Sequence, residues 1–168
     1  MPINLLKIYN QLLELDALNE VQRKRSLMGV FQRDFVNNAH LSFRAKKINP
    51  TPAEGQDTMD RLFNHLTTVV IDHKTNHREY DRSRSVRLHW IKYHIEETKK
   101  DNMLVFSVDE PTGIRTYIYD IDENYVIVLE PLRNKDEYYL LSAYYIEGKD
   151  KARNKMMKKY SRKMDLIA

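Results

Sequence analysis

The chain has 168 residues, 42% of them hydrophobic, a net charge of +4 and no cysteine. That length fills one domain with a core, and the lack of cysteine excludes disulfide scaffolding, thiolate catalysis and zinc sites of the Cys type. No apolar run approaches the roughly 18 residues that cross a bilayer, and Glu14 and Asp16 stand where a secretory signal would be apolar. We therefore expect no membrane partner and a cytoplasmic chain, with delivery into another cell left open.

Leu5, Tyr9, Leu12 and Leu13, then Val21, Met28, Phe31 and Phe35, recur at helical spacing and predict a helical hairpin over residues 1–46. Pro50, Pro52 and Gly55 break the pattern, so residues 47–57 read as a linker. Asp57 is placed to cap a third helix with the stripe Met59, Leu62, Phe63, Leu66 and Val70. A fourth helix is expected over residues 83–99, burying Leu88, Ile91 and Ile95. Beyond it the period changes to two. MLVFSV, RTYIYDI, YVIVLE and EYYLLSAYYIE read as strands joined by PTG, DEN and PLRNKD, short links that favour antiparallel neighbours. Residues 149–163 hold eight Lys or Arg and one acid, hence +7, which leaves −3 for the rest. The predicted architecture is α+β: N-terminal helices, a curved four-stranded antiparallel sheet with one face open to a long ligand, and a basic C-terminal helix, residues 58–168 forming the main domain.

The segment REYDRSRSVRLHWIKYHIEE, residues 78–97, crowds arginines, histidines and a tryptophan onto one element. Cleaving RNA without a metal needs a proton acceptor for the 2′-OH, a proton donor for the leaving oxygen and cations for the phosphorane, and His and Arg suit those tasks. His89, Arg87 and Arg84 are the candidates on the helix. His94 and Trp90 read as core residues. In the last strand Ser142 and Tyr144 share one face by the two-residue period. Arg78, Lys92, Arg115, Lys155, Lys158 and Lys159 are candidate contacts to flanking backbone. Asp120, Asp122, Glu123 and Glu130 could suggest a metal, but DIDEN lies where a tight turn is required. His73 and His77 have the zinc spacing of a helix yet fall in a weakly helical polar stretch. No metal or other cofactor is expected.

The order RSVRLHWIKYHIEE, VFSV, RTYIYDIDENYVIVLEP and YYLLSAYYIEGKD, with Arg87, Leu88, Trp90 and Ile91 on the helix and YYLLSAYY ending at Tyr145, resembles the phage-associated branch of the barnase, EndoU, colicin and RelE-like (BECR) nuclease superfamily. The resemblance covers about residues 60–150. It implies a metal-independent endoribonuclease acting as a toxin of a phage or mobile element. Arg87, Arg84 and His89 would form the helix side of its site, and Ser142 and Tyr144 the strand side. RNA, whether tRNA or mRNA, is the implied substrate, and an immunity protein or antitoxin the implied partner. Residues 1–46 lie outside the resemblance and read as a partner-binding element or an extra packing layer. The competing readings are a non-catalytic module that binds nucleic acid or protein, and a phage structural or accessory protein.

Overall fold

The computed structural model describes residues 3–147 and 150–168. The expected first helix shrinks to one 3-10 turn, Ile3–Leu6. The side chain of Asn4 closes the following loop by bonding both backbone groups of Glu14, and Leu13 N–H donates to Val86 O at 2.9 Å. These tertiary bonds hold residues 7–15 in a non-helical path that still buries Leu13 and Leu15. The second predicted helix is present as α1 (Glu20–Phe31), entered through a capping box between Asn19 and Gln22 and prolonged by a π-helical turn, Gln32–Val36.

A short hairpin follows, β1 (Ser42–Phe43) and β2 (Lys46–Pro50). Its two turn residues, Arg44 and Ala45, have φ of 50° and 68°, the sign that a two-residue type I′ turn needs. Part of the expected linker is thus a strand. α2 (Thr58–Thr67) starts at Asp57, whose carboxylate accepts from Met59 and Asp60 N–H. It ends before Val70, because the β-branched run TVVID leaves the helix to form β3 (Thr68–Asp72), antiparallel to β4 (His77–Tyr80).

The predicted fourth helix is broken into α3 (Arg82–Ser85) and α4 (Trp90–Ile95). Between them Leu88 N–H bonds Ser85 O and Trp90 N–H bonds Arg87 O, while the Arg87 guanidinium takes the Ser83 carbonyl. Val86, Leu88, Trp90 and Ile91 are all buried, and a straight helix would turn some of them to solvent.

β5 (Met103–Glu110), β6 (Gly113–Asp120), β7 (Tyr125–Pro131) and β8 (Glu137–Tyr145) form the expected antiparallel meander, and α5 (Asp150–Ser161) follows. The class is α+β. The sheet is larger than predicted, with six strands in the order β1-β2-β8-β7-β6-β5, and mixed, since β2 runs parallel to β8. One face packs Ile118, Ile127, Leu129 and Ala143 against Phe31, Leu66, Leu88 and Trp90 in the main core. The other face, expected to be open, carries Phe106, Tyr119 and Val126 beneath Met156 and Tyr160 of α5. The amphipathic face of the basic helix explains this: its apolar residues have a sheet to cover.

Asp120, fully buried at the end of β6, stitches the N-terminal segment to the sheet. Tyr9 donates its hydroxyl to Oδ2, Lys99 Nζ stands 3.1 Å from Oδ1, and His94 Nε2 stands 3.1 Å from Oδ2. Burial alone would raise this carboxyl, but His94, Tyr9 and Lys99 outweigh it and hold it at about 2.

Candidate functional site

The last turn of α2, the β3-β4 hairpin, α3 and the outer half of β8 meet at one edge of the sheet. β2 accompanies β8 only as far as Leu140. Among the described residues, β8 beyond that point is paired on one side alone, with β7. Ser142 lies opposite Val128 and Leu140 opposite Leu129, so Leu141 is a bulge residue without a counterpart. Bulges re-aim side chains and release a strand from pairing, and this one opens the edge where Ser142 and Tyr144 stand.

Arg61 and His65 are one turn apart on α2 and share the side away from buried Leu62, Phe63 and Leu66. Arg78, opposite Val70 in the hairpin, is braced by Thr68: Nε donates to Oγ1 at 2.8 Å and Nη2 to the carbonyl at 2.9 Å. Arg84 follows the Asp81 cap of α3 and reaches around the sheet edge. Its Nη1 donates to the His65 carbonyl at 2.9 Å and to Ser142 Oγ at 3.4 Å. The His65 imidazole is lowered to about 4, first by burial and then by Arg78, Arg61 and Arg84. Burial also lowers Arg78, and Arg84 and Arg61 add to the effect. Arg84 is lowered by burial against the opposing pull of Asp81, Tyr125 and Tyr144. The Tyr144 hydroxyl is pushed up by burial, with Arg84 acting the other way.

None of Arg61, Arg78 and Arg84 forms an ion pair among the described residues. The Asp81 carboxylate near Arg84 is engaged by the Arg84 backbone N–H instead. The cluster therefore offers guanidinium donors and a neutral imidazole at neutral pH, an arrangement that can hold a phosphate by charge-assisted bonds and accept a proton beside it.

Of the residues singled out in the sequence, Arg84, Ser142, Tyr144 and Arg78 come together here. His89 does not. It is 6% exposed, with Nε2 3.1 Å from the Ile8 carbonyl, and burial lowers it. Arg87 lies over the Tyr145 ring at 3.8 Å and the Trp90 ring at 5.3 Å, with one guanidinium nitrogen on Ser83 O. His94 is in the Asp120 network and Trp90 donates to Gln11 O. Lys92 pairs with Glu96, Arg115 with Glu130 and Lys159 with Glu110, whereas Lys155 and Lys158 are exposed on α5. His73 follows β3 and His77 begins β4, so helical spacing does not relate them. Asp122 accepts from Lys99 and Asn102, and Asn124 takes φ of 53° in the turn before β7. Among the described residues no group of three or more His, Asp or Glu is arranged to hold a metal.

His65 and Arg61 were not singled out from the sequence. Their i, i+4 spacing opposite an apolar stripe was visible, but it marks an ordinary solvated helix face until the hairpin and α3 bring Arg78 and Arg84 beside it. No protein-family model, curated protein or solved structure matches this chain. Among the described residues no helix is long and apolar enough to cross a membrane.

Proposed function

We propose that the chain is a metal-independent endoribonuclease in which an RNA phosphate docks on Arg61, Arg78 and Arg84. The supporting observation is this group of arginines without a carboxylate partner, set around a neutral imidazole and beside two hydroxyls at an open strand edge. His65 takes the place that the sequence suggested for His89. In this reading His65 removes the 2′-OH proton, the 2′ oxygen bonds to phosphorus, and the bond to the 5′ oxygen breaks. Tyr144, kept protonated by burial, donates to the departing oxygen and is reprotonated through solvent from the His65 imidazolium. Ser142 orients a phosphate oxygen, and a guanidinium pair bears the charge of the phosphorane. An imidazole at about 4 is a weak base in the free protein. A docked phosphate offsets its arginine neighbours and raises it, while the larger effect of burial persists.

A toxin of a phage or mobile element, a BECR-like fold for residues 58–168 and an immunity protein or antitoxin as partner extend this reading; they rest on the resemblance alone. The low basicity of His65 supports the second reading, a module that binds RNA without cutting it. Incubating the chain with tRNA and mRNA in excess chelator and mapping the product ends separates the two. Catalysis predicts 2′,3′-cyclic phosphate ends that disappear in His65→Ala and Arg84→Ala. Intact RNA with binding retained overturns it.

A further inference from the structure

A cleft of about 640 Å³ lies between α1, α2 and β4, immediately beside Arg78. That volume falls within the roughly 300–1,000 Å³ of small-molecule sites. Leu27, Phe63 and Tyr80 form its apolar surface, and the Arg23 guanidinium lies 3.7 Å above the Tyr80 ring. Glu20 and Glu79 supply carboxylates at the rim. Thr68, which braces Arg78, also lines the cleft, so Arg78 and Thr68 form the wall shared by the cleft and the His65 cluster.

We propose that this cleft is the subsite for the nucleoside next to the docked phosphate of a single-stranded RNA. This rests on the phosphate site proposed above and gives it a base-binding neighbour. Two features favour a nucleotide over a bare anion. The planar guanidinium and the phenol ring together make a stacking surface for a base, a contact that tolerates any sequence and is used repeatedly by proteins that bind single strands. Glu20 and Glu79 can accept from amino groups on a base edge, as Asp and Glu do from cytosine N4, a contact that a bare anion cannot make, while Arg23, Lys24 and Arg78 leave the lining net basic. A chain crossing Arg78 would then place its phosphate among the arginines and its base on the Arg23 guanidinium that lies over Tyr80. Single-stranded rather than duplex RNA follows, because a paired base is stacked on both faces and the deep, narrow major groove of A-form RNA hides the edge these carboxylates would meet.

The test uses 2′-O-methyl RNA tetranucleotides, one of each base, which lack the attacking hydroxyl and so report binding alone. Their affinities for the full chain are compared with that of inorganic phosphate, in wild type, Arg23→Ala and Tyr80→Leu, with thermal melting to confirm folding. The expected result is that the best tetranucleotide binds more tightly than phosphate and loses about tenfold in either variant, while phosphate affinity is unchanged. Arg23 is only half-buried, so Arg23→Ala is the milder change and carries the test if melting shows Tyr80→Leu unfolded. Tetranucleotide affinities that are equal to that of phosphate, or equal in wild type and Arg23→Ala, overturn the proposal. Tyr80-dependent binding with uncut natural RNA would remove the ribonuclease reading and leave the cleft. Cut RNA with Arg23-independent binding would do the reverse.

Discussion

Asp120 and His65 each sit in a group of ionisable side chains, and the two groups are paired in opposite ways. Around the Asp120 carboxylate the chain supplies Tyr9, His94 and Lys99, and the Glu123 backbone N–H completes the set at 3.2 Å. Around His65 it supplies three arginines, of which Arg78 and Arg84 bond only neutral oxygens of Thr68, His65 and Ser142, with Arg61 adding a third positive charge. A satisfied charge binds the fold together, whereas an unsatisfied group of like charges carries a cost that an arriving anion relieves. The contrast separates a structural cluster from a candidate site more clearly than burial does.

Breaking the first cluster should have the largest effect. Asp120→Ala leaves Lys99 near an emptied pocket and strands Tyr9, and we expect a loss of about 3–5 kcal/mol in chemical unfolding. A loss below about 1 kcal/mol would show that the network is not what anchors residues 3–15. If the chain is the proposed ribonuclease, His65→Ala should leave stability at neutral pH nearly unchanged and reduce RNA cleavage by about 10²-fold or more, read as initial rates in chelator. Equal rates would move the proton transfer elsewhere.

The pH dependence sharpens the comparison. The folded Asp120 carboxyl is held at about 2, below its ordinary 3.8, so it contributes stability that is complete above about 4 and lost as pH falls towards 2. The folded His65 imidazole is held at about 4, below its ordinary 6.5, so its neutral form is favoured above 6.5 and stability declines as pH falls from there to about 4. Asp120→Asn should remove the first limb of a stability profile, and His65→Asn the second. Smallest of all, Ser142→Ala gives up a single 3.4 Å bond from Arg84 and should weaken phosphate binding by about two- to fivefold. No change in affinity would make Ser142 a bystander at the bulge.

The meander was legible because period-two alternation and polar turns agree over residues 103–145. Asp57 was legible as a cap, since its side chain needs only local backbone to accept from. The elements that build the site were less so. Val70 fits the apolar stripe of α2, and only cross-strand pairing with Arg78 reveals that it has left the helix. Residues 5–13 have helical spacing, but Leu13 N–H goes to Val86, the Tyr9 hydroxyl to Asp120, and the adjoining Glu14 backbone to the Asn4 side chain. Arg84 and Ser142 were both named, and their approach across 58 residues depends on β2 leaving β8 at Leu140, which no local pattern encodes. His89 looked available because helical spacing does not show that Ile8 returns to cover it.

The central claim is that the arginines around His65 receive a phosphate, and the His65 imidazole is its reporter. Its pKa should be followed by NMR in the free chain and with a saturating 2′-O-methyl RNA tetranucleotide, using His65→Asn to assign the resonance. The account predicts a rise from about 4 on binding, with the buried His89 resonances unmoved. A bound RNA that leaves His65 at its free value would place the phosphate elsewhere and contradict the account.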